Sequence, residues 1–149
     1  MANQISAPVN PVTDYQLEDQ IGYLLRRAHQ RATAVFVERM AGAELTPTQW
    51  AVLFKLREVG EISQNSLGRL VAMDFATLQG VVKRLTQRAL IVRTRDPHDG
   101  RRLVLRLTEE GEALVADNIS IGLGISRETL GPLSPRERET LLKLLRRIM

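Results

Sequence analysis

A chain of 149 residues, 44% hydrophobic and 26% charged, is globular material, long enough for one compact domain or two small modules sharing a core. The formal net charge of +4 points to an anionic partner, and the absence of cysteine excludes disulfides, thiolate metal sites and thiol-based sensing. No run is apolar enough to span a membrane and no signal peptide opens the chain, so a soluble cytoplasmic protein is the expectation.

Residues 1–13, MANQISAPVNPVT, carry Pro8 and Pro11 without periodic hydrophobicity and read as a flexible arm. From about Asp14 to Met40 the residues Leu17, Ile21, Leu24, Leu25, Ala28, Ala32, Val35 and Phe36 recur at helical steps. They form one apolar stripe along a long helix, which Gly42 is expected to stop. Thr46-Pro47 is a strong helix start, because a threonine oxygen caps free amides and proline costs nothing at the first helical position. The second helix runs to Gly60, apolar on several faces and therefore central. Ser63 caps a third, short helix with Leu67, Leu70 and Val71. After a tight connection near Met73, Asp74 caps a fourth helix reaching about Arg88, with Leu78, Val81, Val82 and Leu85 turned inward.

Beyond Leu90 the period becomes alternating. Strands 91–95 and 103–107 flank a polar loop, 96–102, that holds Pro97 and Gly100. Thr108 then caps a fifth helix whose positive end suits Glu109 and Glu110. Gly122 and Gly124 weaken this helix, each by about 1 kcal/mol relative to alanine, so they are expected to admit another backbone or to mark a bend. Gly131-Pro132 breaks the chain, and Ser134-Pro135 starts a last helix carrying Leu141, Leu142, Leu144, Leu145 and Ile148.

The expected fold is mainly α with a small β-hairpin wing. Two short helices joined by a tight turn make a helix-turn-helix, and the hairpin makes it winged. Between residues 74 and 106 there are eight Lys/Arg against three acids, so the rest of the chain is slightly acidic. A basic helix followed by a basic hairpin is the footprint of a surface that meets a polyanion. On the fourth helix the outward candidates are Thr77, Gln79, Gly80, Lys83, Arg84 and Gln87. Gln pairs with adenine, Arg with guanine and Thr with either or with a thymine methyl, while Gly80 lets the backbone come close. Lys83 equally suits a phosphate. Arg101 and Arg102 sit where a wing tip borders the minor groove, whose negative potential attracts guanidinium. A few exposed cations on one helix are more often a solvated face; the conjunction of capped helix, turn, basic helix and basic hairpin is what favours duplex DNA.

Residues 61–108 resemble the winged helix-turn-helix of the MarR family of bacterial transcription regulators. The wing Asp96-Pro97-His98-Asp99-Gly100-Arg101-Arg102-Leu103-Val104-Leu105-Arg106-Leu107-Thr108 is similar to that family's Asp-x-Arg wing ending in Leu-Thr, and Leu45-Thr46-Pro47-Thr48-Gln49-Trp50 is similar to its second-helix start. The similarity extends over the chain from about residue 14. It implies a homodimer in which segments 14–45 and 109–149 form a helical dimerisation platform. Each protomer then presents a lobe, 46–108, to half of a palindromic operator. It also implies that Asp99 orients Arg101 toward the minor groove and that Thr77, Gln79, Gly80, Lys83 and Arg84 occupy recognition-helix positions. Two departures stand out: Gly80 replaces a larger side chain, and the Gly122/Gly124 pair is unusual. A two-fold interface would bury the apolar stripes of the terminal helices; packing on one another within one chain is the competing arrangement.

Many members of the family are repressors released by small aromatic acids, and the first helix is similar to that of the subgroup that represses nicotinate catabolism. That implies an effector of the hydroxylated pyridine or benzoic acid class, with Trp50, His29 and Phe36 for shape and stacking and Arg31 for a carboxylate. The plainer alternative places Trp50 and Phe36 in the core and His29 on the surface. No enzyme is expected, since there are two histidines and no phosphate loop or paired acids. No cofactor is implied, and Asp96, His98 and Asp99 are read as loop polarity rather than metal ligands. A rival from another class is a helical adaptor that binds a protein partner and no DNA.

Overall fold

A computed structural model describes residues 15–149, so the arm expected over 1–13 lies outside the described residues. Helix α1 spans Ile21–Arg39, after a single 3-10 turn at Leu17–Asp19. The continuous helix expected from Asp14 is therefore shorter at its start: Gln20 is extended and its side chain makes no cap bond to the helix. The chain turns after α1 through a 3-10 segment, Ala41–Ala43, and the left-handed residue is Glu44 (φ 51°) rather than Gly42. Arg88 holds that corner from a distance, donating to the carbonyls of Glu44 at 2.7 Å and Ala43 at 3.0 Å.

Helix α2, Pro47–Val59, starts with a capping box in which Thr46 Oγ1 accepts from Gln49 N–H and Gln49 Oε1 accepts from Thr46 N–H. Its Val52, Leu53 and Leu56 are 0% exposed, and α1, α3 (Gln64–Leu70), α4 (Phe75–Gln87), strand β2 (Leu103–Leu107) and α5 (Glu109–Thr129) all pack on it. The expectation of a central second helix holds. Strand β1, Ile91–Arg95, pairs antiparallel with β2 in the register Ile91 with Leu107 to Arg95 with Leu103. A third pairing was not legible in the sequence: Ile62 exchanges both backbone hydrogen bonds with Leu105, adding a one-residue bridge to the wing.

Helix α5 runs unbroken through both suspect glycines. Gly122 admits neither a backbone nor a bend but a side chain: a Cβ there would stand 3.0 Å from Cζ2 of Trp50. Gly124 has nothing within 4 Å of its Cβ position. The glycine that packing does require is Gly111, whose Cβ would lie 2.1 Å from the Leu90 carbonyl oxygen. It lets the first turn of α5 dock on the α4–β1 connection, where Thr108 donates its hydroxyl to the Ala89 carbonyl and its amide to that of Leu90.

Helices α1 and α5 pack along each other. Arg31 caps the end of α5 by donating to the carbonyls of Thr129 and Glu128, and Arg39 pairs with the Glu128 carboxylate at 2.6 Å. That contact raises the Arg39 pKa above its ordinary value, chiefly through its hydrogen bond to Glu128. Helix α6, Pro135–Ile148, is capped by Ser134 with Glu137 in a second capping box, yet it buries no residue.

Candidate nucleic-acid interface

Helices α3 and α4 are joined by a turn, 71–74, in which Ala72 takes the left-handed conformation (φ 52°) and Met73 N–H donates to the Gly68 carbonyl. Asp74 then fixes the first turn of α4. Its carboxylate accepts from the Thr77 amide at 2.8 Å and from the Thr77 hydroxyl at 2.7 Å. These bonds, the amide first, hold the Asp74 pKa below its ordinary value. The opposite face of α4 buries Leu78, Val81, Val82 and Leu85, so the remaining direction is outward. Gln79, Lys83, Arg84 and Gln87 are exposed there, and Gly80 has open space where a Cβ would stand.

The wing is held by its own backbone. Asp96 N–H donates to the Arg102 carbonyl and Arg102 N–H to the Asp99 carbonyl, while Arg95 reaches across to the Gly100 carbonyl at 2.8 Å. Asp99 accepts from the Arg101 amide at 3.1 Å. The aspartate thus orients the backbone at Arg101, and the guanidinium projects from an ordered turn.

The basic residues of this stretch divide into two sets. Arg88 caps the α1–α2 corner, Arg93 donates to Gln64 Oε1 at 2.8 Å, Arg95 closes the wing and Arg106 faces Glu61 at 3.9 Å. Among the described residues the side chains of Lys83, Arg84, Arg101 and Arg102 have no hydrogen-bond or ion-pair partner, and all four are exposed. Internal structure leaves these four cations available for phosphates and base edges. Thr77 belongs to the expected set as well, but its hydroxyl proton is engaged by Asp74.

The structure adds residues that sequence reasoning passed over. Arg93 ties the wing to α3 through Gln64, a link between positions 29 residues apart that local pattern does not encode. Phe75, at the first position of α4, is 61% exposed and borders a cleft shared with Arg69, Met73 and Leu78. An aromatic residue in an apolar-rich stretch reads as core, so local pattern gave no signal for it.

The four effector candidates are not brought together. His29 lies on the outer face of α1 beside Thr33 and Val37, whereas Phe36 is buried in the core. Arg31 is engaged with the end of α5. Trp50 is half-buried, with its ring over Gly122 and 5.8 Å from that of Phe54. Among the described residues no group of three His, Asp or Glu is placed to hold a metal ion. No helix among them is long and apolar enough to cross a membrane.

Comparison with known proteins matches this geometry. Residues 45–103 match the MarR family profile. The HTH-type transcriptional repressor NicR of Pseudomonas putida is 40% identical over 144 residues, spanning 97% of this chain and 90% of its own. The crystal structure of a probable transcriptional regulator from Pseudomonas aeruginosa superposes with a TM-score of 0.87 at 50% identity, covering 90% of this chain and all of that one. Bordetella bronchiseptica BpsR, whose structure addresses regulation of its DNA binding by 6-hydroxynicotinic acid, superposes with a TM-score of 0.85 at 38% identity, covering 90% of this chain and 96% of its own.

Proposed function

The chain belongs to the MarR family of transcription regulators, and from that premise we propose that it is a homodimeric repressor of a palindromic operator, released by a small aromatic carboxylate. In this reading residues 46–108 are the DNA-binding lobe, while 14–45 and 109–149 form the dimer platform. Helix α4 enters the major groove with Gln79, Gly80 and Arg84 toward base edges and Thr77 offering its methyl and oxygen. Lys83 takes a phosphate, and Arg101, set by Asp99, reaches the minor groove with Arg102 beside it.

The observation that carries the reading is the division of cations into engaged and available sets. Within residues 74–106 the engaged ones lie at joints of the protomer, whereas Lys83, Arg84, Arg101 and Arg102 lie on α4 and at the wing tip. An adaptor that bound only protein would have no need of unpaired cations at both places. Two apolar surfaces support the dimer: α6, and the chain up to the first turns of α1, where Leu17, Ile21, Leu24 and Leu25 are exposed. The regulation of BpsR by 6-hydroxynicotinic acid supports the hydroxylated-pyridine part of the effector class.

The test is a titration onto the promoter of its own gene at several salt concentrations. A specific shift is expected, with log affinity falling by about 0.9 per log salt for each phosphate neutralised. A binding curve that is unspecific and insensitive to salt overturns the reading, and a protein partner released on mutating Arg101 and Lys83 favours the adaptor. For the effector, hydroxylated nicotinic and benzoic acids are expected to raise Tm and dissociate the complex; a panel without effect removes that part.

A further inference from the structure

Recognition helices present their N-terminal residues to base edges, so the chemistry of the first turn of α4 sets what that turn can read. Its side chains are Phe75, Ala76 and Thr77. Thr77 donates its hydroxyl proton to Asp74 Oδ2 at 2.7 Å, and Asp74 is occupied as the cap. The side chains of the turn therefore offer no free hydrogen-bond donor toward a base; what they offer is apolar surface. Phe75 supplies most of it, since it extends the stripe of Leu78, Val82 and Leu85 by one turn to the end of the helix and is 61% exposed there. A ring more than half in water at this position gains only part of its burial energy within the protomer. It shares its cleft with Arg69 of α3, so a polyanion drawn to this cation is brought against the ring. In the major groove the apolar feature is the C5-methyl group of thymine.

We propose that Phe75 reads a thymine methyl at the base pair met by the first turn of α4 in each operator half-site. The contact distinguishes thymine from cytosine without a hydrogen bond, and it complements the polar readout by Gln79 one turn further on. The inference rests on α4 being the element that enters the major groove.

The test replaces each thymine of the half-site in its own promoter, one at a time, by deoxyuridine, which removes the methyl and leaves pairing unchanged. Affinities are measured for the wild type, Phe75→Ala and Phe75→Leu. One position is expected to weaken the wild type about fourfold, the transfer value of one apolar carbon. Phe75→Ala is expected to lose a similar factor on the unmodified duplex and to be indifferent to deoxyuridine at that position, while Phe75→Leu keeps part of the discrimination. Because the side chain lies outside the core, both variants are expected to melt like the wild type. Equal wild-type affinity at every substituted position overturns the inference. So does a Phe75→Ala protein that still senses the missing methyl, which would assign the contact to Ala76 or Thr77. A wild type that shows no specific shift on the unmodified duplex instead defeats the DNA-binding reading of α4 itself.

Discussion

Helices α4 and α6 are built alike: 13 and 14 residues, a side-chain cap at Asp74 or Ser134, a leucine-rich stripe and basic residues in the last turn. They differ in what covers the stripe. In α4 the residues Leu78, Val81, Val82 and Leu85 are closed over by α2, α3 and β1. In α6 no residue is buried, and Leu144 and Ile148 are 48% and 66% exposed. Amphipathic sequence states that a face must be covered and does not state by whom. One helix places its apolar face inside the protomer and so turns its polar face outward; the other leaves its apolar face uncovered within the protomer, where the proposed dimer would cover it.

The comparison breaks most visibly at Leu85, which is 0% exposed. Leu85→Ala removes a core side chain beneath the exposed face of α4 and is expected to cost about 3 kcal/mol. For a chain of this size that is a fall of roughly 10 °C in Tm, measured by thermal melting. Leu144→Asp, the matching change on α6, is expected to leave the secondary structure of the winged lobe intact and to shift the protein from dimer to monomer in sedimentation. If the two variants lose Tm equally and Leu144→Asp stays dimeric, the stripe of α6 is covered by something other than a partner copy.

How much of the molecule is readable from its sequence follows the same line. The starts of α2, α4, α5 and α6, the strands and the hairpin loop were legible, because a cap or an alternating run is complete within a few residues. Thr46, Asp74, Thr108 and Ser134 all cap as their sequence context implies. What depended on distant partners was not. The α1–α2 corner needed Arg88 from beyond the end of α4, the single residue Ile62 forms a bridge only by meeting Leu105, and the absence of a side chain at Gly122 is explained only by Trp50 packed over it. Likewise a count of basic residues could not separate Arg88 and Arg93, held by internal acceptors, from Arg84 and Arg101, which are not.

That separation is testable in DNA binding. Arg101→Ala is expected to weaken every duplex by about tenfold and to lower the salt slope by about one for each phosphate no longer neutralised. Gln79→Ala is expected to act on sequence preference instead, relaxing discrimination at one base pair by about 1–3 kcal/mol. Competition assays against substituted operators separate the two, and a uniform loss in both variants would refute the division of labour between wing and helix.

The smallest effect sharpens the comparison furthest, because it uses the same chemistry on both helices. Asp74 has its pKa lowered first by the Thr77 amide and then by the Thr77 hydroxyl; Glu137 has its own lowered by Ser134, through the side chain first and the backbone second. Carboxylates depressed in the folded state contribute stability that is complete above their unfolded values, about 3.9 for Asp and 4.3 for Glu. That contribution is lost as pH falls from there through the folded values. Both caps are therefore expected to weaken below about pH 4, but with different readouts. Protonating Asp74 loosens a helix packed within its own chain, so the acid loss of Tm that Asp74→Asn removes is independent of protein concentration. Protonating Glu137 loosens a helix whose stripe the proposed dimer covers with a second copy, so the part that Glu137→Gln removes is expected to appear as dissociation and to grow on dilution. Acid melts at two concentrations decide it. If the Glu137 contribution is as insensitive to dilution as that of Asp74, α6 is stabilised within the protomer and the contrast between the two helices is one of degree.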